Sequence, residues 1–308
     1  MSRVLITGAA GMVGRALVEA LADDLVATDL AQAGLPEGVA FRRMDVTGED
    51  PDRVIGEVRP EVVVHLASVV TPPAGMTREQ AHAVDVTGTR NVLAACVKHG
   101  VRRLVVTSSG AAYGYHPDNP VPLTEEAPCR GNVEFAYADH KRQVEEMLAE
   151  AREAHPGLEQ VVLRVGTVLG AGVENQITAL FHRKRLLAIR GCDSPFVFIW
   201  THDLARILKR AATDGPAGIY NVAGDGWLSV DALAERLGKP VLRLPAWGLK
   251  AALAVANPLG LTQYGPEQVR FLQYRPVLAN DRLKAVFGYE PELSSAEVFE
   301  LWRREAGL

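Results

Sequence analysis

The chain has 308 residues, of which 48% are hydrophobic and 23% are charged, and its formal net charge is −4. This length predicts one large α/β domain or two smaller ones, and the composition is typical of a soluble globular protein. The acidic balance argues against a nucleic-acid-binding protein, which normally carries a basic surface.

The cysteines and the longest apolar stretch exclude further classes of protein. Cys96, Cys129 and Cys192 are far apart and odd in number, so they predict neither a disulfide framework nor a metal site. This pattern favours a cytoplasmic location, and the early first strand leaves no room for a signal peptide. Residues 245–261 are apolar but contain Lys250, and they are too short for a confident membrane span. We expect a buried helix there or, alternatively, a pocket wall for an apolar substrate.

Short apolar runs alternate with helical stretches through the first half of the chain. The predicted strands are 4–6, 25–28, 41–43, 62–66, 104–107 and 161–165, and the predicted helices are 12–21, 51–58, 80–99 and 137–155. Parallel strands are buried on both faces, which explains unbroken runs such as Val62-Val63-Val64. The pattern therefore predicts a Rossmann-type α/β fold with a doubly wound parallel sheet.

After residue 170 the alternation becomes irregular. The segments predicted there are, in chain order, a basic helix over 177–187, an apolar segment at 195–199, a helix from Asp203, a strand at 217–221 and a helical tail from Trp227. We predict a cofactor-binding domain over residues 1–170 and a smaller substrate-binding lobe over 171–308. A strand or helix of this lobe is expected to return to the main sheet.

A glycine-rich turn, residues 7–14, directly follows the first apolar run. A strand that breaks into such a turn before a helix binds a dinucleotide pyrophosphate at the helix N-terminus. Gly8 permits the tight turn, Gly11 lets the backbone approach the phosphates, and Gly14 lets the helix pack close to the strand. The cofactor-binding residues predicted in this turn are Gly8, Ala10, Gly11, Met12, Val13 and Gly14.

An acidic residue follows the second predicted strand, at Asp29. A carboxylate there accepts hydrogen bonds from ribose hydroxyls and repels the 2′-phosphate of NADP, so we predict NAD as the cofactor. Asp45 and Val46, after the third strand, are expected beside the adenine. His65 is interpreted as a packed histidine at a strand end. The residues after it that are expected to let backbone approach the cofactor are Leu66, Ala67 and Ser68.

Tyr137 and Lys141 open a predicted helix, and their i, i+4 spacing places them on one face. A phenol with a pKa of about 10 is a poor base near neutral pH. A nearby ammonium and a positive nicotinamide ring favour the phenolate. Ser108 and Ser109 end the fifth strand, where a hydroxyl can hydrogen-bond the reacting oxygen. Together these residues predict a path for proton transfer.

With these motifs in view, the chain resembles the extended branch of the short-chain dehydrogenase/reductase family, the NAD-dependent epimerase/dehydratase group. The segments that carry the resemblance are 7–14, 45–46, 65–68, 108–109, 113–114, 137–141, 163–164, 200–205, 220–222 and 227–237. The resemblance implies that Tyr137 is the acid/base and that Lys141 lowers its pKa and holds the nicotinamide ribose. It implies that Ser109, with Ser108 as second choice, orients the substrate. It also implies a twofold homodimer through helices 80–99 and 137–155.

The chain departs from the family pattern at three places. Asp85 stands where the family often has asparagine, and Thr167 stands where members acting on sugar nucleotides usually have asparagine. Those members also place an arginine in the stretch that reads here as the largely apolar segment 194–199. Arginine is a bidentate phosphate ligand that a phenylalanine cannot replace, which argues against a nucleotide-sugar substrate.

Two enzyme hypotheses follow, and a third hypothesis belongs to another class. The first is an NAD-dependent oxidoreductase acting at a secondary alcohol or carbonyl carbon of a moderately hydrophobic small molecule. The second is a nucleotide-sugar epimerase or dehydratase that oxidises the sugar transiently, with basic residues within 182–190 binding the diphosphate. The third is a redox sensor that binds NAD without turnover, which the intact serine, tyrosine and lysine disfavour.

Overall fold

The computed structural model describes residues 3–21, 25–73, 75–262 and 265–308. The strands in chain order are β1 Val4–Thr7, β2 Leu25–Asp29, β3 Phe41–Arg43, β4 Val62–His65, β5 Arg103–Ser109, β6 Glu159–Val165, β7 Thr167–Leu169, β8 Leu186–Ile189, β9 Phe198–Trp200, β10 Gly218–Val222 and β11 Val241–Leu244. The α-helices are α1 Met12–Leu21, α2 Asp50–Val58, α3 Arg78–His82, α4 Gly88–Lys98, α5 Ala136–Ala154, α6 Gln176–Phe181, α7 Thr201–Ala212, α8 Val230–Leu237, α9 Ala246–Ala256, α10 Gln268–Gln273, α11 Asp281–Ala285 and α12 Ser295–Glu305.

The main sheet of the described residues has seven parallel strands in the order β10-β6-β5-β4-β1-β2-β3. The strand order reverses between β1 and β4, so the loops that leave these two strands diverge and open a crevice at the carboxyl edge. Helices cover both faces of the sheet, which makes it a three-layer α/β structure. The predicted doubly wound parallel fold is therefore confirmed.

Two apolar cores, one on each face, hold the helices against this sheet. On β1, Val4 and Ile6 belong to the core beneath α1 and α7, whereas Leu5 belongs to the core beneath α2, α4 and α5. Successive side chains of a strand point to opposite faces, so both faces of β1 need apolar residues. This requirement explains why the strand-forming runs are unbroken and why they were recognisable in the sequence.

Residues after 170 contribute to the main sheet as well as to a smaller layer. Strand β10 pairs with β6, as expected for a returning strand, and α7 packs against α1. Two smaller sheets, β11-β8 and β7-β9, form beside a third core that includes Phe181, Phe198 and Trp302. Strand β10 comes from the part after residue 170 but belongs to the main sheet, so the two predicted parts share one sheet. The division at residue 170 stays a prediction.

Three predicted helical segments differ from the structure. The segment predicted as helix 177–187 is helical only to Phe181, and Leu186–Ile189 forms β8. Its partner β11 lies in the tail that was predicted to be helical. These errors have one cause, since the two strands are stabilised by pairing with each other across the chain. The predicted helix 80–99 contains one π-helical turn at Ala83–Thr87.

The expectation of a buried helix at 245–261 is wrong. Helix α9 contains no buried residue, and Trp247 and Leu261 are 76% and 77% exposed. The alternative expectation of a pocket wall agrees with the structure, because Leu249 and Leu253 line the main cavity. Apolar residues surround α9 on all sides, so periodicity could not show which side is covered. Within the described ranges, the helices are all too short or too polar to cross a membrane.

Candidate active site

The glycine-rich turn forms a tight cradle between β1 and α1. Gly8 has φ +67°, and a Cβ there would lie 2.6 Å from the backbone nitrogen of Ala67. A Cβ on Gly14 would collide with the carbonyl oxygens of Gly8 and Ala9, whereas one on Gly11 would lie 3.2 Å from the Gly8 oxygen. Backbone thus occupies the space that side chains would need, and Met12, the first residue of α1, is exposed beside it.

Asp29 is tied to this turn by hydrogen bonds from backbone amides. Its Oδ2 accepts a hydrogen bond from the Ala10 amide at 3.0 Å, and its Oδ1 accepts one from the Leu30 amide at 2.7 Å. Asp45 accepts from the Thr47 amide at 2.9 Å. The Val46 side chain is buried in the core against Gly88, so the structure does not bring it to the cavity.

A cavity of about 1120 Å³ extends from the start of α1, past the ends of β4 and β5, to α9 and α10. The predicted site residues that line it are Met12, Val13, Leu66, Ser68, Ser108, Ser109, Tyr137 and Lys141. Among the described residues, the lining does not include the remaining predicted residues, which are Gly8, Ala10, Gly11, Gly14, Asp29, Asp45, Val46 and Ala67. The opening at the carboxyl edge of a doubly wound sheet is where this fold binds its ligands.

Ser109, Tyr137 and Lys141 meet on the wall of this cavity. The Lys141 ammonium lies 5.6 Å from the centroid of the Tyr137 ring and donates to the Thr107 carbonyl at 2.9 Å. Ser109 lies near enough to the Tyr137 phenol to lower the pKa of that group. Ser108 lies beside it, but its buried Oγ has no partner among the described residues. Both serines line the cavity, and the choice of Ser109 over Ser108 stays a prediction.

The charges around Tyr137 determine when it can act as a base. Burial raises the pKa of Tyr137 to about 12; the nearby Ser109 hydroxyl opposes this shift, and the Asp85 charge adds to it. Burial lowers the pKa of Lys141, against the attraction of Asp85 and Glu145. The phenol is thus the stable form in this environment, and an additional positive charge beside the ring is needed to favour the phenolate.

His65 is a packed histidine, as predicted. Its Nδ1 lies 2.7 Å from Thr7 Oγ1 and its Nε2 lies 3.0 Å from Thr89 Oγ1. Burial lowers the pKa of His65 to about 3, so the ring stays neutral near pH 7. Both ring nitrogens are satisfied by threonine hydroxyls, which leaves this residue a structural role between β1, β4 and α4.

The sequence analysis missed Arg275, a buried arginine that lines the cavity. Its guanidinium stacks on Phe196 at 3.7 Å and donates from Nη2 to the Ser194 carbonyl at 2.6 Å. Its buried Nη1 has no partner in the part of the chain that the structure describes. Burial lowers the pKa of Arg275 to about 9, against the charges of Tyr115 and Asp193.

Arg275 corrects the inference drawn from the segment 194–199. That inference treated the apolar segment 194–199 as lacking a cation, but a guanidinium from a distant segment packs directly on it. Arg183 and Arg185, from the basic run, also line the cavity. No local pattern marked Arg275, because its role depends on contacts with residues about 80 positions away.

Comparisons with known proteins find similar sequences and similar structures. Residues 4–223 match the NAD dependent epimerase/dehydratase family. A UDP-glucose 4-epimerase of Azospirillum brasilense is 33% identical over 216 residues, covering 62% of this chain and 60% of that protein. An L-arabinose 1-dehydrogenase (NAD(P)(+)) of Haloferax volcanii is 28% identical over 255 residues, covering 77% and 95%. The structure of Thermus thermophilus UDP-glucose 4-epimerase with NAD superposes with a TM-score of 0.73, 25% identity and 98% coverage of each chain.

Proposed function

Because this chain belongs to the NAD-dependent epimerase/dehydratase family, we propose that it transfers hydride at a secondary alcohol or carbonyl carbon of a small molecule. Ser109, Tyr137 and Lys141 are its proposed proton-transfer set. The observation that carries this proposal is their meeting on one cavity wall, with the Lys141 ammonium 5.6 Å from the Tyr137 ring. Chemistry at a carbinol carbon needs such a group to take or give the hydroxyl proton.

The residues around the glycine-rich turn fit NAD. The backbone cradle at Gly8 and Gly14 has no room for side chains, and the first amides of α1 would hold the pyrophosphate. Asp29 would accept hydrogen bonds from the hydroxyls of the adenosine ribose, and Lys141 would hold the nicotinamide ribose. When bound, NAD supplies the acceptor and donor of the hydride.

The chain's own residues manage the proton and the substrate oxygen. In the oxidation direction, the Tyr137 phenolate takes the proton of the substrate hydroxyl, and the Ser109 hydroxyl hydrogen-bonds the same oxygen. In the reduction direction, the Tyr137 phenol returns that proton to the carbonyl oxygen. The Lys141 ammonium, 5.6 Å from the ring centroid, and the positive nicotinamide ring of bound NAD would together favour the phenolate against the burial that raises the tyrosine pKa.

A nucleotide-sugar epimerase or dehydratase is the second candidate function, and Arg275 specifically favours it. Arg275, whose Nη1 has no partner among the described residues, lines the same cavity as Arg183 and Arg185, and three arginines in one lining suit an anionic substrate. Epimerases recycle NAD within each turnover, whereas dehydrogenases exchange it. Near-stoichiometric NAD in protein purified without added cofactor and then denatured would favour this candidate. Protein that lacks NAD and binds it reversibly would favour the dehydrogenase.

Tyr137→Phe tests the proposed proton carrier. Activity is assayed with NAD and a panel of probes: UDP-glucose, UDP-galactose, L-arabinose and cyclohexanol. We expect the rate with any active probe to fall about 10²- to 10⁴-fold, because the phenylalanine ring carries no proton. The Kd for NAD should stay nearly unchanged. Tyr274→Phe, in the same aromatic cluster, is the matched control. Full turnover by Tyr137→Phe would refute the mechanism.

A further inference from the structure

Helix α9 exposes an apolar surface on the side opposite the cavity. Its half-buried alanine and leucine residues recur every three or four positions, so they share one face of the helix. They are Ala246, Leu249, Leu253 and Ala256, and the two leucines line the cavity. The residues of the opposite face, which form the solvent side of α9, are all exposed: Trp247, Lys250, Ala251, Ala254 and Val255.

The solvent side of α9 lacks the charges that an exposed helix side normally carries. On the long helix α5, for comparison, the exposed residues include Glu146 and Glu150. On the solvent side of α9, Lys250 is the one charged residue. The apolar surface continues past the end of the helix, where Leu259 and Leu261 are 66% and 77% exposed. Scattered exposed apolar residues are common, but a contiguous group indicates a surface that binds a partner.

The segments around α9 carry positive charge and no negative charge. Residues 182–190 contain β8, residues 241–262 contain β11 and α9, and neither range includes an aspartate or a glutamate. Their lysine and arginine residues are Arg183, Lys184, Arg185, Arg190, Arg243 and Lys250. The whole chain has a formal net charge of −4, so positive charge is concentrated in these two segments.

Strand pairing brings the two basic segments together in the fold. Strand β8 pairs with β11 in parallel register. The Arg190 amide donates to the Leu244 carbonyl at 3.0 Å, and α9 begins two residues later, at Ala246. Arg183 and Arg185 line the cavity that α9 also lines. Positive charge therefore flanks α9 at its first turn and at the cavity that it borders.

Most of these cations are not neutralised within the chain. Arg243 forms an ion pair with Asp231. The cations that form no ion pair within the described ranges are Arg183, Lys184, Arg185, Arg190 and Lys250. An apolar helix side flanked by unpaired cations is complementary to a surface with an apolar interior and an anionic exterior.

We propose that the solvent side of α9 docks on the surface of an anionic phospholipid bilayer. Trp247, Leu259 and Leu261 enter the boundary between headgroups and acyl chains, which is where tryptophan is enriched in membrane proteins. Lys250 and Arg190 bind the anionic headgroups. Helix α9 is about 16 Å long at 1.5 Å per residue, which is too short to cross a bilayer, so it lies in the plane of the surface.

Docking in this way brings the cavity close to the lipid. The apolar wall that Leu249 and Leu253 provide lies on the other side of the same helix. A helix is about 10 Å wide, so the cavity lies within about one helix diameter of the bilayer surface. This inference goes beyond the proposed function and does not rest on it, because the proposed proton-transfer set takes no part in docking.

Vesicle flotation of the full chain tests the docking without an activity assay. One set of vesicles contains phosphatidylcholine mixed with phosphatidylglycerol, and the other contains phosphatidylcholine alone. In about 0.1 M salt, we expect the protein to float with the mixed vesicles and to bind the neutral vesicles at least about 10-fold more weakly. The reason is that each cation at an anionic surface strengthens binding about 5-fold. No binding to the mixed vesicles, or equal binding to both kinds, would overturn the proposal.

Trp247→Ser and Arg190→Glu test the apolar and the charged contacts separately. We expect each variant to bind the mixed vesicles about 10-fold more weakly or worse, because one loses a buried apolar contact and the other reverses a charge. Trp227→Ser and Arg304→Glu, at exposed positions outside the two basic segments, are the matched controls and should bind as the wild type does. Wild-type binding by either test variant would contradict the proposal.

Fluorescence quenching by brominated phosphatidylcholine identifies the residue that enters the lipid. Bromine atoms on the acyl chains quench a tryptophan only when they approach it closely. Trp247→Phe keeps an apolar ring, so we expect this variant to bind as the wild type does but to lose the quenching. Trp227→Phe should bind and keep the quenching. Quenching that persists in Trp247→Phe would mean that another tryptophan contacts the lipid, and the proposal would be wrong.

A second copy of the chain is the other occupant that an apolar helix side can have. Sedimentation without vesicles identifies this case. A wild type that ignores the vesicles, together with a lower sedimenting mass for Trp247→Ser, would make the solvent side of α9 a contact between copies and refute the docking. These measurements need neither NAD nor a substrate, so their failure is distinct from a failure of Tyr137→Phe to lose activity.

Discussion

At the residue scale, the cofactor cradle depends on glycines that fill backbone-sized spaces. Gly14 is buried at the start of α1, where any Cβ would meet the carbonyl oxygens of Gly8 and Ala9. Those atoms belong to the turn itself and cannot move without opening it. The predicted role of Gly14, close packing of helix and strand, agrees with this geometry.

Gly14→Ala should therefore damage both the cradle and the fold. We expect a loss of unfolding free energy of about 1–3 kcal/mol, because an added methyl group in a packed site forces the backbone to shift. We also expect the NAD Kd to rise at least about 10-fold. Chemical denaturation and calorimetric titration measure the two effects. Gly48→Ala is the matched control, since nothing lies within 4 Å of a Cβ there. Equal behaviour of the two variants would contradict this explanation.

At the element scale, helix α9 has a cavity side and a solvent side. Leu249 and Leu253 line the cavity, whereas Val255 is 64% exposed. The cavity side continues the apolar wall formed by Phe271 and Leu272 of α10. Both sides of α9 are apolar, but only the side with Leu249 and Leu253 lines the cavity. We therefore expect this side to contact an apolar part of a substrate.

Leu253→Asp tests whether α9 provides an apolar binding wall. We expect the affinity for 8-anilinonaphthalene-1-sulfonate, a fluorescent probe with an apolar ring system, to fall about 10-fold, because full burial of a leucine side chain under the bound probe would contribute about 1.5–3 kcal/mol. Fluorescence titration measures this affinity, and the NAD Kd should not change. Val255→Asp, on the solvent side of the same helix, should have little effect. An equal loss in both variants would show that the probe binds elsewhere.

At the scale of the whole molecule, His65 makes folding stability depend on pH. Burial lowers its pKa from 6.5 to about 3, so the folded state keeps it neutral while the unfolded state takes up a proton below pH 6.5. The contribution of His65 to the free energy of unfolding is therefore constant above pH 6.5 and decreases as the pH falls from 6.5 toward 3.

His65→Gln should remove this part of the pH dependence. Between about pH 7.5 and 5.5, we expect the wild type to lose about 1.4 kcal/mol more unfolding free energy than the variant. Urea denaturation at both pH values measures the difference. His155→Gln, which changes an exposed histidine, should keep the wild-type slope. A wild-type slope in His65→Gln would mean that His65 is not held neutral.

A further prediction at this scale is the homodimer that the family resemblance implies. The helices expected to pair are α4 and α5, and Ala94 is an exposed residue on α4. Sedimentation at micromolar protein should show about twice the 33.2 kDa mass of the chain. Ala94→Glu should shift the protein toward the monomer, whereas Ala252→Glu on α9 should not. A wild type that sediments only as a 33.2 kDa species would refute the dimer.

The sequence by itself was sufficient for the main sheet, the glycine-rich turn and the tyrosine–lysine spacing. Each of these depends on neighbours within a few residues: strands buried on both faces need continuous apolar runs, and an i, i+4 pair shares a helix face. Local periodicity therefore determined the seven main strands to within a few residues at their ends.

Only the tertiary structure decided the features that depend on distant residues. Strands β8 and β11 form because they pair with each other, and Arg275 reaches the cavity because its guanidinium stacks on Phe196. The Asp85–His140 contact joins residues 55 positions apart. Helix α9 has one side on the cavity, and within the described chain no segment buries its outer side. Strand pairing, ring stacking and burial depend on which distant segments come into contact in the folded chain. Local sequence patterns contain no information about those contacts.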